Sequence, residues 1–167
     1  MRLWAVGVAP VVHSHGVSPR PLPAARLFPC LSRASGWAAV ADQEDVRRIA
    51  SALPETSEGA DRFSFSVSNK GKQKAFVWAW AERVEPKKPR VPRSDVVAVR
   101  VVDRFDKEAL LASAPDKFFT EPHYNGFPAV LVRLPEIALD ELEELIFDAW
   151  RCQAPRTLVE AFERDER

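Results

Sequence analysis

Few of the residues that build active sites and membrane segments occur in this sequence. Only two of the 167 residues are cysteines, which excludes a disulfide framework and is typical of a reducing, cytoplasmic compartment. No run of about 18 apolar residues is present, so no membrane span is expected. The sequence also lacks a Walker loop, a G-x-G-x-x-G fingerprint and a G-x-S-x-G nucleophile motif. We therefore expect a cytoplasmic protein that is not an enzyme and holds no cofactor.

Metal ligands and nucleophiles are equally scarce. His13 and His15 have a spacing that suits a metal ion, but no third ligand lies near them in the sequence. Cys152 ends an amphipathic segment and has no recognisable histidine or aspartate partner that would activate its thiol. The sequence therefore predicts neither a metal site nor catalytic residues.

Residues 1–39 differ in composition from the rest of the chain. Prolines interrupt every apolar run there, four arginines occur and no acidic residue does, and no periodicity persists. We interpret the segment as a disordered extension or as sequence upstream of the true start. A transit peptide or a weak secretory segment are the alternatives. A single domain is expected over residues 40–164.

A net charge of zero hides an uneven distribution of charge along the sequence. Residues 62–107 contain twelve basic and five acidic side chains, a net charge of +7. Residues 108–167 contain six basic and thirteen acidic side chains, a net charge of −7. An anionic partner is therefore expected to meet the middle third of the chain.

Periodicity and turn signals predict an α+β domain. Helices are expected over 42–54, 104–115, 139–155 and 156–164, and strands over 62–67, 74–80 and 94–103, with two short strands around Asn125-Gly126. Residues 55–61 read as a polar loop, and Phe76 is expected to share a sheet face with Trp78 and Trp80. The order α-β-β-β-α-β-β-α-α predicts an antiparallel sheet with helices packed mainly on one face.

Several of these segments resemble one known family. The stretches "ALPET", "FSFSVSNKGKQKAFVWAW", "FDKEALLASAPDKFFTEPHYNGFPAVLVRL" and "LDELEELIFDAWRCQAP" are similar to those of the MmcQ/YjbR family, across about residues 43–162. The resemblance implies a small bacterial α+β protein of a fold compared with frataxin-like domains and described as double-winged. Members are commonly labelled predicted DNA-binding proteins, and the family offers no established catalytic residues to carry over.

Two basic clusters are the candidate phosphate-binding sites. The first consists of Lys70, Lys72 and Lys74, and the second of Arg83, Lys87, Lys88, Arg90 and Arg93 in "RVEPKKPRVPR". Clustered cations bind phosphates without reading sequence, which indicates weak, phosphate-directed DNA binding. In a meander the clusters lie at opposite ends of a strand, so they share a duplex only if it runs along the sheet or the loop folds back.

The proline-rich segment and one aromatic turn leave other interpretations open. The segment could be a solvated loop, or a polyproline II stretch that docks a partner through Arg83, Pro86 and Pro89. His123 and Tyr124 could instead bind a protein or small ligand, which makes a ligand-binding module without a nucleic-acid role the alternative function. Equally, Tyr124 could belong to a turn whose aromatic side chains cover the sheet.

Overall fold

A computed structural model describes residues 40–165, where four α-helices pack against a six-stranded sheet. The helices are α1 (Gln43–Ala52), α2 (Arg104–Ser113), α3 (Leu139–Gln153) and α4 (Arg156–Asp165). The strands are β1 (Thr56–Glu58), β2 (Ser64–Asn69), β3 (Lys72–Glu82), β4 (Val91–Arg100), β5 (Phe118–Phe119) and β6 (Ala129–Arg133). All neighbouring strands are antiparallel, in the order β1-β2-β3-β4-β6-β5. The predicted α+β class is confirmed, whereas the interpretations of residues 1–39 and of His13 and His15 fall outside the described residues.

Helix α1 shows how local sequence sets an element's bounds. The Asp42 carboxylate accepts hydrogen bonds from the backbone N–H groups of Glu44 and Asp45, at 2.8 and 3.0 Å. Asp45 in turn accepts from the Asp42 N–H at 3.3 Å, which completes a capping box. Val46 and Ile49 bury the inner face of the helix. The helix predicted over 42–54 is therefore confirmed, with ends one or two residues shorter.

The helices cover one face of the sheet, here called the helix face. The buried residues of α1, α3 and α4 form one core cluster with the inward-facing residues of the strands. Trp150 of α3 is its largest fully buried side chain, and its indole N–H donates to the Pro54 carbonyl at 3.1 Å. The predicted placement of helices mainly on one face of the sheet is therefore confirmed.

Strand β3 contains a bulge that changes which face its aromatic residues reach. Val77 pairs with Phe65 and Ala75 pairs with Ser66, so Phe76 is an extra residue between them. Phe76 consequently packs in the helix-face core, whereas Trp78 and Trp80 belong to a second cluster on the other side of the sheet. The expectation that all three aromatic residues share one face was wrong, because it assumed unbroken alternation.

The turn between β2 and β3 has two residues, Lys70 and Gly71, both with positive φ (53° and 73°). Such a turn matches the twist of the flanking strands. Asn69, the residue before the turn, uses its side-chain amide to donate to the Gln153 carbonyl at 2.7 Å. This bond ties the turn to the end of α3.

Two segments predicted as loops contribute strands. The polar stretch 55–61 contains the edge strand β1, and β4 begins at Val91 within the proline-rich segment, so the sheet has one strand more than predicted. The Lys88 N–H donates to the Glu85 carbonyl, which closes a turn. That turn and the pairing of Pro92 with Ala81 interrupt the polyproline II stretch that was one alternative for this segment.

Candidate nucleic-acid interface

Lys70, Lys72 and Lys74, here called the hairpin cluster, occupy the β2–β3 turn and the start of β3. All three are exposed, and none forms an ion pair with an acidic residue in the described part of the chain. The bond from Asn69 to Gln153 places them beside the junction of α3 and α4. Arg156, whose side chain is 91% exposed, lies at that junction and pairs with Glu160. The hairpin cluster thus presents three ammonium groups to solvent.

The loop cluster consists of Arg83, Lys87, Lys88, Arg90 and Arg93. Its most strongly paired member is Arg93, whose guanidinium contacts Glu82 at 2.9 Å and Asp95 at 2.7 Å. The hydrogen bonds from Arg93 lower the pKa of the Asp95 carboxyl. A phosphate would have to compete with both carboxylates for this guanidinium.

Three other members of the loop cluster also have partners within the protein. Lys88 pairs with Glu85 at 2.7 Å, and Arg83 donates to the Pro86 carbonyl at 2.8 Å. Arg90 donates to the Ala81 carbonyl at 3.2 Å and lies 4.0 Å from Glu121. Within residues 40–165, only Lys87 of this cluster has no such contact. The two clusters therefore differ in how far their charge is already satisfied.

The clusters lie at opposite ends of β3, as the meander argument requires. Ten residue steps separate Lys72 from Glu82, which corresponds to about 33 Å at the usual rise of a strand. One turn of B-DNA measures about 34–36 Å. A duplex that lies parallel to β3 would bring equivalent phosphates to both ends of the strand.

The sheet face opposite the helices is here called the open face, because no α-helix contributes to its buried cluster. Across its middle, the register places the following strand residues: Ser57, Ser64, Ser66, Trp78, Ala98, Leu131 and Phe119. None of these residues is acidic. The Ser66 hydroxyl donates to the Gln73 side-chain oxygen at 3.2 Å, so a neutral hydrogen-bonded group lies on the β2–β3 part of the face.

Aromatic residues from the β5–β6 connection cover the other half of the open face. Tyr124 is only 8% exposed, and its hydroxyl accepts a hydrogen bond from the Trp78 indole at 3.1 Å. Phe127 packs edge-on against both rings and is 43% exposed. His123 is exposed and packs edge-on against Tyr124. The observed packing of Tyr124 is that of a turn whose aromatic side chain covers the sheet, and its role in ligand binding stays a prediction.

A buried lysine positions this aromatic cover. Lys107 of α2 is 6% exposed, and its ammonium donates to the carbonyls of Tyr124 and Phe127 at 2.8 and 3.3 Å. Burial lowers its pKa. The sequence signal is its position on the inner face of α2, at i, i+3 and i+4 with Leu110 and Leu111. Lysine at such a position is easily taken for a surface residue, and the sequence did not single it out.

Residues 40–165 contain neither a membrane-spanning helix nor a cluster of metal ligands. No helix within residues 40–165 is long and apolar enough to cross a membrane. In the same part of the chain, no group of three or more His, Cys, Asp or Glu side chains is placed to hold a metal ion. Burial raises the pKa of the Cys152 thiol, which disfavours the thiolate that a nucleophile needs.

Comparisons with known proteins agree with this architecture. The sequence model of the YjbR family matches residues 51–152. Uncharacterized proteins of Mycobacterium tuberculosis and Mycobacterium bovis are each 44% identical to this chain over 132 residues, covering 74% of it and 96% of their own length. A crystal structure of a Deinococcus radiodurans protein with a DUF419 domain superposes with a TM-score of 0.53 at 17% identity, covering 76% of this chain and 88% of that one. At that identity the likeness is one of fold.

Proposed function

This chain belongs to the YjbR family, and from its geometry we propose that it is a cytoplasmic, non-enzymatic protein that binds duplex DNA weakly through the phosphates. The observation that carries the proposal is the hairpin cluster. Its three ammonium groups are exposed and have no carboxylate partner among the described residues. Binding of this kind gains affinity from counterion release and carries little sequence preference.

The hairpin cluster is expected to supply most of the contacts. Charge-assisted hydrogen bonds already occupy Arg93 and Lys88 of the loop cluster, so their transfer to phosphates gains less. Lys70, Lys72 and Lys74 exchange only water and counterions for phosphate oxygens. The loop cluster then adds a smaller contribution. It comes from Lys87 and from any ion pair of Lys88 or Arg93 that breaks so that the side chain can contact a phosphate.

The duplex is proposed to meet the turn end of the sheet and to run from there parallel to β3. The register pairs Lys72 with Asn69 and Lys74 with the buried Val67, so both lysines lie on the helix-face side of that end, and the loop cluster lies about one helical turn of DNA away. The N-terminal half of α3 is avoided, because its outer surface carries Asp140, Glu141 and Glu144. Like charges of helix and phosphate would repel there.

The test is a salt titration of duplex binding by the full chain, read by fluorescence anisotropy. The logarithm of the affinity should fall linearly with the logarithm of salt concentration, and Lys70→Ser, Lys72→Ser and Lys74→Ser together should reduce the slope by about one per lost phosphate contact. A ligand-binding module that uses an apolar site near His123 would instead show affinity for its ligand that hardly depends on salt.

A matched control removes three other exposed basic side chains, through Arg62→Ser, Arg104→Ser and Arg164→Ser. This variant has the same net charge as the hairpin variant, so any difference between them reports position and not total charge. Equal slopes for the two variants would refute the assignment to the hairpin cluster. Absence of duplex binding by the unaltered chain at low salt would refute the proposed function itself.

A further inference from the structure

A cleft of about 650 Å³ opens between α2 and α3, beside the end of β4. Its lining includes charged side chains, among them Arg100, Asp106 and Asp148. It also includes the apolar side chains of Val102, Leu110 and Leu145. Its volume lies within the range of about 300–1,000 Å³ that is usual for small-molecule sites. Neither basic cluster contributes to its lining.

Of the two arginines that line this cleft, Arg100 is the one with no anionic partner in residues 40–165. Its Nε atom is buried without a hydrogen-bond acceptor. The ring of Phe127 lies 4.7 Å from its Cζ atom and packs against the guanidinium without accepting a proton. A buried donor of a charged group that lacks an acceptor is costly, so a carboxylate in the cleft would supply what the protein does not.

Asp106 and Asp148 are the acids of the cleft, and neither forms an ion pair within the described part of the chain. Arg151, which also lines the cleft, pairs instead with Glu163 at 3.3 Å. Burial raises the pKa of Asp148, and the Asp106 carboxylate acts in the same direction while Arg151 opposes it. A cation held between the two carboxylates would relieve their mutual repulsion.

We propose that this cleft binds an apolar dipeptide with free ends. The peptide carboxylate lies toward Arg100, its ammonium toward Asp106 and Asp148, and its side chains against Leu110 and Leu145. A single amino acid carries both charges on one carbon, whereas the cation of the cleft comes from β4 and its acids from α2 and α3. In a dipeptide the ammonium and the carboxylate lie at opposite ends of two residues. This separation matches a cleft whose cation and acids come from different elements.

The first test uses the unaltered full chain and needs no variant. Isothermal titration calorimetry with L-leucyl-L-leucine should give saturable binding at about 1 mM or below. The N-acetylated and the C-amidated forms should each bind roughly tenfold more weakly or worse, because each lacks one charge-assisted contact. Lack of saturation by all three peptides up to about 10 mM, or equal affinity for all three, would overturn the proposal.

The second test assigns each end of the peptide to its residue. Arg100→Gln should weaken the free dipeptide roughly tenfold and leave the amide unaffected, while Asp148→Asn should remove the preference for a free ammonium. Arg104→Gln on α2 and Glu144→Gln on α3 are the controls, because each removes one exposed charge that does not line the cleft. Circular dichroism checks that each variant is folded. Unchanged discrimination between the peptides in folded Arg100→Gln would contradict the assignment.

Discussion

The hairpin cluster has three basic side chains and the loop cluster has five, and the two clusters hold their charge in different ways. At the hairpin end, Lys70, Lys72 and Lys74 point into solvent without carboxylate partners in the described chain. At the loop end, Arg93 lies between Glu82 and Asp95, and Lys88 is paired with Glu85. The denser run of charge in the sequence is therefore the more neutralised one in space. Counting charges along a chain overstates a cluster whose acids lie two to eleven residues away.

The largest effect is expected at the aromatic cover of the open face, which Lys107 of α2 holds in place. Lys107→Met should lower the free energy of unfolding by about 2 kcal/mol, because the Tyr124 and Phe127 carbonyls lose a charged donor. Urea unfolding measures this change. If duplex affinity of the folded variant also falls, the aromatic cover belongs to the path between the clusters.

Lys117→Met is the control for that prediction, because Lys117 makes an ion pair with Glu141 at the surface. It should change stability by less than about 1 kcal/mol. Equal losses for the two lysine variants would mean that the carbonyl contacts of Lys107 contribute nothing beyond an ordinary surface pair.

The next effect concerns the length of the DNA. A duplex of about 8 base pairs spans only ~27 Å and reaches one cluster, whereas one of about 20 base pairs reaches both. The longer duplex should bind about tenfold more tightly to the unaltered chain after correction for the number of sites. In Lys87→Ser with Lys88→Ser, this advantage should shrink. An advantage that persists in full would show that the loop cluster does not contact the duplex.

A smaller effect is expected from backbone changes, when the β2–β3 turn is compared with the proline-rich segment. Gly71→Ala should destabilise the protein by about 1 kcal/mol, since its φ of +73° is unfavourable for a residue with a Cβ even where space is open. Pro89→Ala should cost no more than about 0.5 kcal/mol, through the entropy of the unfolded chain. Thermal unfolding of both variants checks the order, and a larger loss for Pro89→Ala would reverse it.

The smallest effect is a contrast in pH dependence. Arg93 lowers the pKa of Asp95, so the stability from that pair is present above the unfolded value of 3.8 and is lost as pH falls through the folded value. Burial raises the pKa of Asp148, so its charged form costs stability above 3.8, and that cost disappears as pH falls. Arg93→Gln should therefore lower the unfolding temperature at neutral pH and Asp148→Asn should raise it.

The difference for Asp148→Asn should disappear as pH falls to the unfolded value of 3.8, and that for Arg93→Gln should shrink below 3.8, as pH falls through the lowered pKa of Asp95. The measurement is the unfolding temperature of each variant relative to the unaltered chain at several pH values. Shifts of the same sign for both variants at neutral pH would contradict the contrast.

Much of the fold follows from local signals. Asp42 and the apolar face of α1, the alternation of Phe65 and Val67, and the amphipathic pattern of α3 each predict their element within a few residues. The edge strand β1 escaped prediction because its three polar residues carry no apolar alternation. Its strand character comes from pairing with β2, which local sequence does not encode.

The candidate site was less predictable than the fold, because it depends on contacts between distant segments. The lysines of the hairpin turn were named correctly as neighbours, since two residues connect their strands. That Arg90 lies near Glu121, or that Lys107 reaches Tyr124 and Phe127, requires the tertiary arrangement. The sequence shows which side chains are basic, but it does not show which of them form ion pairs or hydrogen bonds within the folded protein.

The bulge at Phe76 gives β3 one residue that its pairing with β2 does not need. Loss of Phe76 would leave Ala75 opposite Ser66 and Val77 opposite Phe65, so every other residue of β3 would keep its face. The change would remove one large buried side chain from the helix-face core and leave the second cluster in place. A one-residue deletion in β2, which has no such extra residue, would instead turn the residues beyond it to the opposite face. Over evolutionary time, a change of length in this hairpin should therefore be accommodated at the bulge of β3 before it is accommodated in β2.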